Sequence, residues 1–167
     1  ILQFNSTSSY VDEALMMLGK SFYFQGNYQK SKRKFEELLA TAIDDDEIIT
    51  EANLWIAKNA FELRDFTEAL RVIKEVRVKA VEEGYEDIIK DSYVQEIKYR
   101  IKEQDYPDAI TLANEFADVY DDGVVRAQIY FELGKLYTLM GENDNAILAY
   151  EKVFDNEPDF DLEIIAT

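Results

Sequence analysis

Cysteine and histidine are both missing from this chain. Their absence removes disulfides, thiolate metal sites, and the commonest general bases, nucleophiles and zinc ligands. No Walker loop, Rossmann glycine fingerprint or nucleophile elbow is present either, so no enzyme, no cofactor and no metal are expected. Carboxylates are abundant enough for a paired-acid hydrolase, yet every one has a ready reading as helix surface or cap. The run Asp44-Asp45-Asp46-Glu47 lacks the alternating spacing and central glycine of a calcium loop and reads as loop and cap. Proline occurs twice and glycine six times in 167 residues, which argues for helices joined by short loops. No window approaches the ~18 consecutive apolar residues that span a bilayer, so direct membrane insertion is not expected. The opening ILQFNSTSSY has neither the charged region nor the apolar core of a signal peptide. Positive charge is scarce: 18 bases stand against 35 acids, a net charge of −17. Residues 103–167 carry −13 of it and residues 1–102 only −4. Sequence-independent nucleic-acid binding needs cationic surface to displace counterions, and this balance excludes it.

What the chain has is apolar residues, 47% of the total, at helical spacing and in repeated order. In RAQIYFELGKLYTLMGENDNAILAYEKVFDNEP the columns Tyr130, Leu133, Tyr137, Ala146, Tyr150 and Val153 recur on two amphipathic segments. Gly134 permits close helix approach, Gly141 opens a turn, and Pro158 ends the second segment. Three further copies fall into register. The small residue of the second helix is Ser31, Ala69, Ala109 and Ala146, at spacings of 38, 40 and 37 residues. Helices are expected over about 9–24, 28–42, 48–63, 66–83, 86–103 and 107–119, followed by the pair in 127–158. Gly84 is a stop, Pro107 a start, and Gly123 with Asp121-Asp122 a separator. The third copy should be irregular, because Ile97 fills its small-residue column while Glu96 and Arg100 fill core columns.

These columns resemble the tetratricopeptide repeat (TPR) family, whose minimal unit is ~34 residues. The resemblance implies an all-α, right-handed superhelical solenoid of about four helix-turn-helix repeats, at about 12–45, 50–83, 90–123 and 127–160 in a single array. Residues 1–5 align with the end of a second helix and 159–167 with the start of a first one. The chain therefore reads as excised from a longer array. Ile1, Leu2, Ile164 and Ile165 are expected on uncovered ends, and the exposed array ends should self-associate. The first copy, through Tyr10, Ala14, Leu18-Gly19, Phe22-Tyr23 and Gly26-Asn27-Tyr28, is similar to bacterial cell-envelope TPR proteins of the BamD-like outer-membrane lipoprotein and Tol–Pal accessory types. That similarity implies a periplasmic or cell-envelope location.

The residue after the small column of each first helix is lysine: Lys20, Lys58, Lys98 and Lys135. One residue is a rotation of about 100°, so these lysines leave the packed face for another. In TPR proteins that face lines the concave groove. The same face carries Met16, Leu54, Val94 and Phe131 before the lysines, and Tyr23, Phe61 and Ile101 after them. An apolar trough with a ladder of ammonium groups is expected to take a partner peptide or helix. The alternative is internal neutralisation by Glu13, Glu51 and Asp91, each seven residues before a lysine. The groove does not match the chaperone-binding carboxylate clamp: Met16 stands at its lysine and Trp55 at its asparagine. On the second helices, Lys30, Lys32, Arg33, Lys34, Arg71, Lys74, Arg77 and Lys79 read as a solvated convex face, offset by neighbouring glutamates, with a convex contact to an acidic partner as the alternative. The leading function is a non-catalytic interaction scaffold. A regulatory peptide sensor and a substrate-positioning domain of a larger enzyme are the alternatives.

Overall fold

The computed structural model describes residues 9–42 and 45–156, which form eight helices and no strand. They are α1 (Ser9–Phe24), α2 (Tyr28–Thr41), α3 (Asp46–Glu62), α4 (Phe66–Glu83), α5 (Glu86–Lys102), α6 (Tyr106–Val119), α7 (Gly123–Met140) and α8 (Asn143–Phe154). The all-α class and the pairing of helices are as expected. Gly123 is not a separator but the first residue of α7; Asp122 before it caps the helix by accepting from the Val125 amide at 2.9 Å. Ile1, Leu2, Asp44, Pro158, Ile164 and Ile165 lie outside the described residues.

The helix ends follow from local chemistry. Asp45 and Asp65 accept from the amides of Ile48 and Glu68, satisfying donors that have no intrahelical partner. All four helix pairs then share one turn. Gly26, Arg64, Gln104 and Gly141 all adopt positive φ, at 74°, 63°, 61° and 76°. In each turn that residue's amide bonds back three residues, to Tyr23, Phe61, Ile101 and Thr138. The following amide bonds back five, to Phe22, Ala60, Arg100 and Tyr137. This is the paired closure of a Schellman motif, made with glycine twice and with a side-chain-bearing residue twice.

The chain divides into two compact units, residues 1–92 and 93–167, with the boundary inside α5. In the first unit α1 packs on α2 through Gly19: a Cβ there would stand 2.5 Å from Phe35 Cζ. Phe35 is wholly buried, which at ordinary transfer values contributes roughly 1.5–3 kcal/mol. Leu38, Ala52, Trp55 and Ile56 extend this core from α2 to α3. Asn59 ties the same two helices, donating Nδ2 to Ser31 Oγ at 2.9 Å. Arg77, expected on the solvated face, is instead 9% exposed and donates Nη2 to the Ser92 carbonyl at 3.0 Å. Burial is possible because that carbonyl accepts the guanidinium's polarity inside the packing.

In the second unit Gly134 meets the ring of Tyr150, the counterpart of Gly19 on Phe35. Tyr93 stacks on Phe116 with centroids 5.0 Å apart, and Leu133 and Val153 are buried. The third repeat is irregular in chemistry rather than in backbone. Glu96, in the column of Ile56 and Leu133, is 1% exposed. Arg100, in the column of Ala60, reaches Glu96 at 3.4 Å, Asp105 at 2.8 Å and Asp108 at 3.1 Å. Such a cluster adds little net stability, but leaving one member unpaired is costly.

Candidate functional site

The lysine column gives the clearest polar pattern on the first helices. Lys20 Nζ lies 2.6 Å from Glu51 Oε1, and Lys58 Nζ lies 2.6 Å from Asp91 Oδ2. Each acid belongs to the first helix of the next repeat, α3 for Lys20 and α5 for Lys58, and sits seven residues before that helix's own lysine. The pairs therefore bridge neighbouring repeats. Seven residues along one helix is ~10.5 Å, too far for an intrahelical pair, whereas adjacent packed helices are ~8–10 Å apart. Trp55 sits between the rungs: Lys58 lies 4.1 Å and Lys20 5.6 Å from its ring centre, and its Nε1 donates to Glu51 at 3.2 Å. Lys58 is only 7% exposed, so its ammonium depends on the carboxylate and the ring that replace water.

The next rung is broken. The position seven before Lys135 is Gln128, which carries no charge. Lys98 is exposed and has no ion pair among the described residues. Lys135 is exposed as well, held by Glu132 of its own helix at 2.9 Å and lying 5.6 Å from the Phe131 ring centre.

The apolar trough expected along this column is partly core. Met16, Leu54 and Phe61 are 5%, 1% and 7% exposed, filling space between helices rather than lining a surface. Tyr23, Val94, Ile101 and Phe131 are half-buried and keep an accessible edge. Tyr23 packs against Tyr28 and Trp55 at 5.4 and 5.2 Å. Burial, reinforced by the Glu62 carboxylate beside it, pushes its hydroxyl up to about 12. The role of Trp55 as the hub between two rungs was not signalled by the repeat pattern.

Between the second helices lie two grooves of about 410 Å³, one in each unit. The first runs between α2 and α4 over α3, where Arg71 bridges Glu68 and Glu75 at 2.8 Å each, and Lys79 holds Glu83 at 2.8 Å and Asp46 at 3.3 Å. The second, between α6 and α8 over α7, is lined by Tyr130, Tyr137 and Leu148, with Lys152 lying 4.8 Å from the Tyr130 ring centre. No described helix is long and apolar enough to cross a membrane.

Comparison with known proteins agrees with this geometry. The family profile described as "Tetratricopeptide repeat" matches residues 127–160, and a second profile of the same description matches residues 13–41. No curated protein sequence matches. Two crystal structures of MamA are similar in fold. One is 22% identical with a TM-score of 0.60, covering 95% of this chain and 78% of that one. The other is 23% identical with a TM-score of 0.57, covering 89% and 78%. With four helical pairs closed by one turn, this chain carries tetratricopeptide repeats at residues 13–41 and 127–160.

Proposed function

We propose that this chain is a non-catalytic scaffold that holds a peptide or helix of a partner protein on the first-helix face of its second unit. TPR repeats generally mediate protein–protein contacts, which supports the class. The broken rung carries the assignment within it. Lys20 and Lys58 are neutralised by Glu51 and Asp91, so they brace the first unit rather than receive a ligand. Lys98 has no such acid, and the half-buried Val94, Ile101 and Phe131 with the exposed Lys135 belong to the same column set. An exposed ammonium in a chain of charge −17 selects a carboxylate-bearing partner, while the apolar edges supply most of the affinity.

The test uses a peptide selected on the wild-type chain from a random display library, measured by titration calorimetry. Gln128→Glu supplies the missing acid and should weaken the peptide about as much as Lys98→Glu, with the helical spectrum intact. Unchanged affinity in both variants refutes the assignment. The resemblance of the first repeat to envelope proteins supports a cell-envelope location; recovery in the cytosolic fraction on fractionation would overturn that part.

A further inference from the structure

The two outer faces of the described helices have a template inside the same chain. On α3 the stripe Ala52, Trp55, Ile56 and Asn59 is buried, at 0%, 7%, 7% and 0% exposure, partly under α2. The same columns of α1 are Ala14, Met17, Leu18 and Ser21, where Met17 is 71% and Leu18 47% exposed. On α8 the stripe Ile147, Glu151 and Phe154 occupies the columns of Ile110, Asn114 and Ala117 on α6. Ala117 is 2% exposed, Phe154 44% and Ile147 57%. One end thus presents a face shaped to receive a second helix, and the other presents a second helix with its outer apolar stripe uncovered.

We propose that α8 of one copy docks on α1 of another, head to tail, in the register that α2 holds on α3. Charge supports a second copy as the occupant. In the internal template Glu36 of α2 and Arg71 of α4 line one groove. Carried to the junction, those columns become Glu151 of one copy and Arg33 of the other. Arg71 is held by Glu68 and Glu75, but Arg33 is exposed and has no ion pair among the described residues, and neither has Glu151. Lys30 occupies the column of Glu68, so the receiving helix offers base where the template has acid. Because the contact is heterologous, each junction leaves one free α1 and one free α8, and association proceeds beyond a dimer unless the rotation closes a ring.

This inference deepens the expected pairing of array ends and does not depend on the groove at Lys98. Sedimentation velocity and light scattering of the 167-residue chain over a concentration series test it. Association that grows past the dimer is expected. Met17→Lys or Phe154→Lys should each abolish it without altering the helical spectrum, since both side chains are exposed. Arg33→Glu and Glu151→Arg should each weaken it about two- to fivefold, the range for a solvent-accessible ion pair, and the double exchange should restore it. Lys98→Glu should leave it unchanged, which separates this contact from the groove. A chain monomeric at hundreds of micromolar, or association indifferent to Met17→Lys and Phe154→Lys, overturns the proposal. Failure of the double exchange to restore association overturns the register.

Discussion

Replacing Arg64 and Gln104 by glycine should stabilise the protein, although neither change adds a contact. Both residues close helix-pair turns at positive φ, 63° and 61°, where Gly26 and Gly141 close the same turn at 74° and 76°. For a residue with a Cβ the left-handed region costs roughly 1–2 kcal/mol. Glycine returns roughly 0.5–1 kcal/mol of that through its greater freedom in the unfolded chain. The net gain is about 0.5–1 kcal/mol per site. Arg64 and Gln104 are both exposed and Arg64 forms no ion pair among the described residues, so little side-chain energy is lost. The mirror-image changes, Gly26→Ala and Gly141→Ala, should destabilise by about 1 kcal/mol, because nothing lies within 4 Å of either added Cβ and the whole cost is conformational. In a chain of this size 1 kcal/mol moves Tm by ~2–4 °C, within reach of calorimetry. Urea titration followed by far-ultraviolet circular dichroism gives a second measure, and a repeat array calls for checking that both probes coincide. If Arg64→Gly lowers stability while Gly141→Ala leaves it unchanged, the shared-turn reasoning fails.

Gly134→Ala should cost roughly 1–3 kcal/mol, because the new methyl enters the Tyr150 ring; pairing it with Tyr150→Leu should recover part of the loss. Arg100→Ala should destabilise by roughly 1.5–3 kcal/mol, since it removes the charged bonds to Asp105 and to Glu96, whereas Lys102→Ala on the exposed face should do nothing measurable. Tyr23 has a folded-state pKa of about 12 against 10.0 unperturbed, so its contribution is full below pH 10 and is lost as pH rises towards 12. Tyr23→Phe should therefore flatten the stability decline between pH 10 and 12 in denaturant titrations. Asp91→Asn should destabilise more than Glu51→Gln, because Lys58 is 7% exposed while the Lys20 side chain is 35% exposed.

The helix boundaries were legible because the punctuation is chemical: Gly26, Gly84 and Gly141 admit the positive φ that ends a helix, and Pro107 fits only its first turn. Arg64 and Gln104 carry no such mark, and their backbone is readable only by carrying over the glycine column from the outer repeats. The lysine face was legible as a face, but its partners were not. Counting along one helix finds Glu13, Glu51 and Asp91 on the correct side, yet which lysine each acid meets depends on how far neighbouring helices are offset. Met16, Leu54 and Phe61 share the lysine face in angle and are covered by the packing of adjacent repeats, which a single-helix rotation does not register. Arg77 entered the interior for a related reason, since it donates to both the carbonyl and the hydroxyl of Ser92 on the following helix.

The rungs Lys20–Glu51 and Lys58–Asp91 also set grammar for recombination among the repeats. The first and second repeats each direct a lysine to an acid of their successor, and the second and third supply those acids. Duplicating the second repeat would lengthen the ladder, because the new copy both receives and offers a charge. Joining the fourth repeat directly to the second would set Gln128 against Lys58, whose mostly buried ammonium requires a counter-charge. Order among these repeats is therefore not free: a neutral repeat is tolerated only after one whose lysine already stands in water.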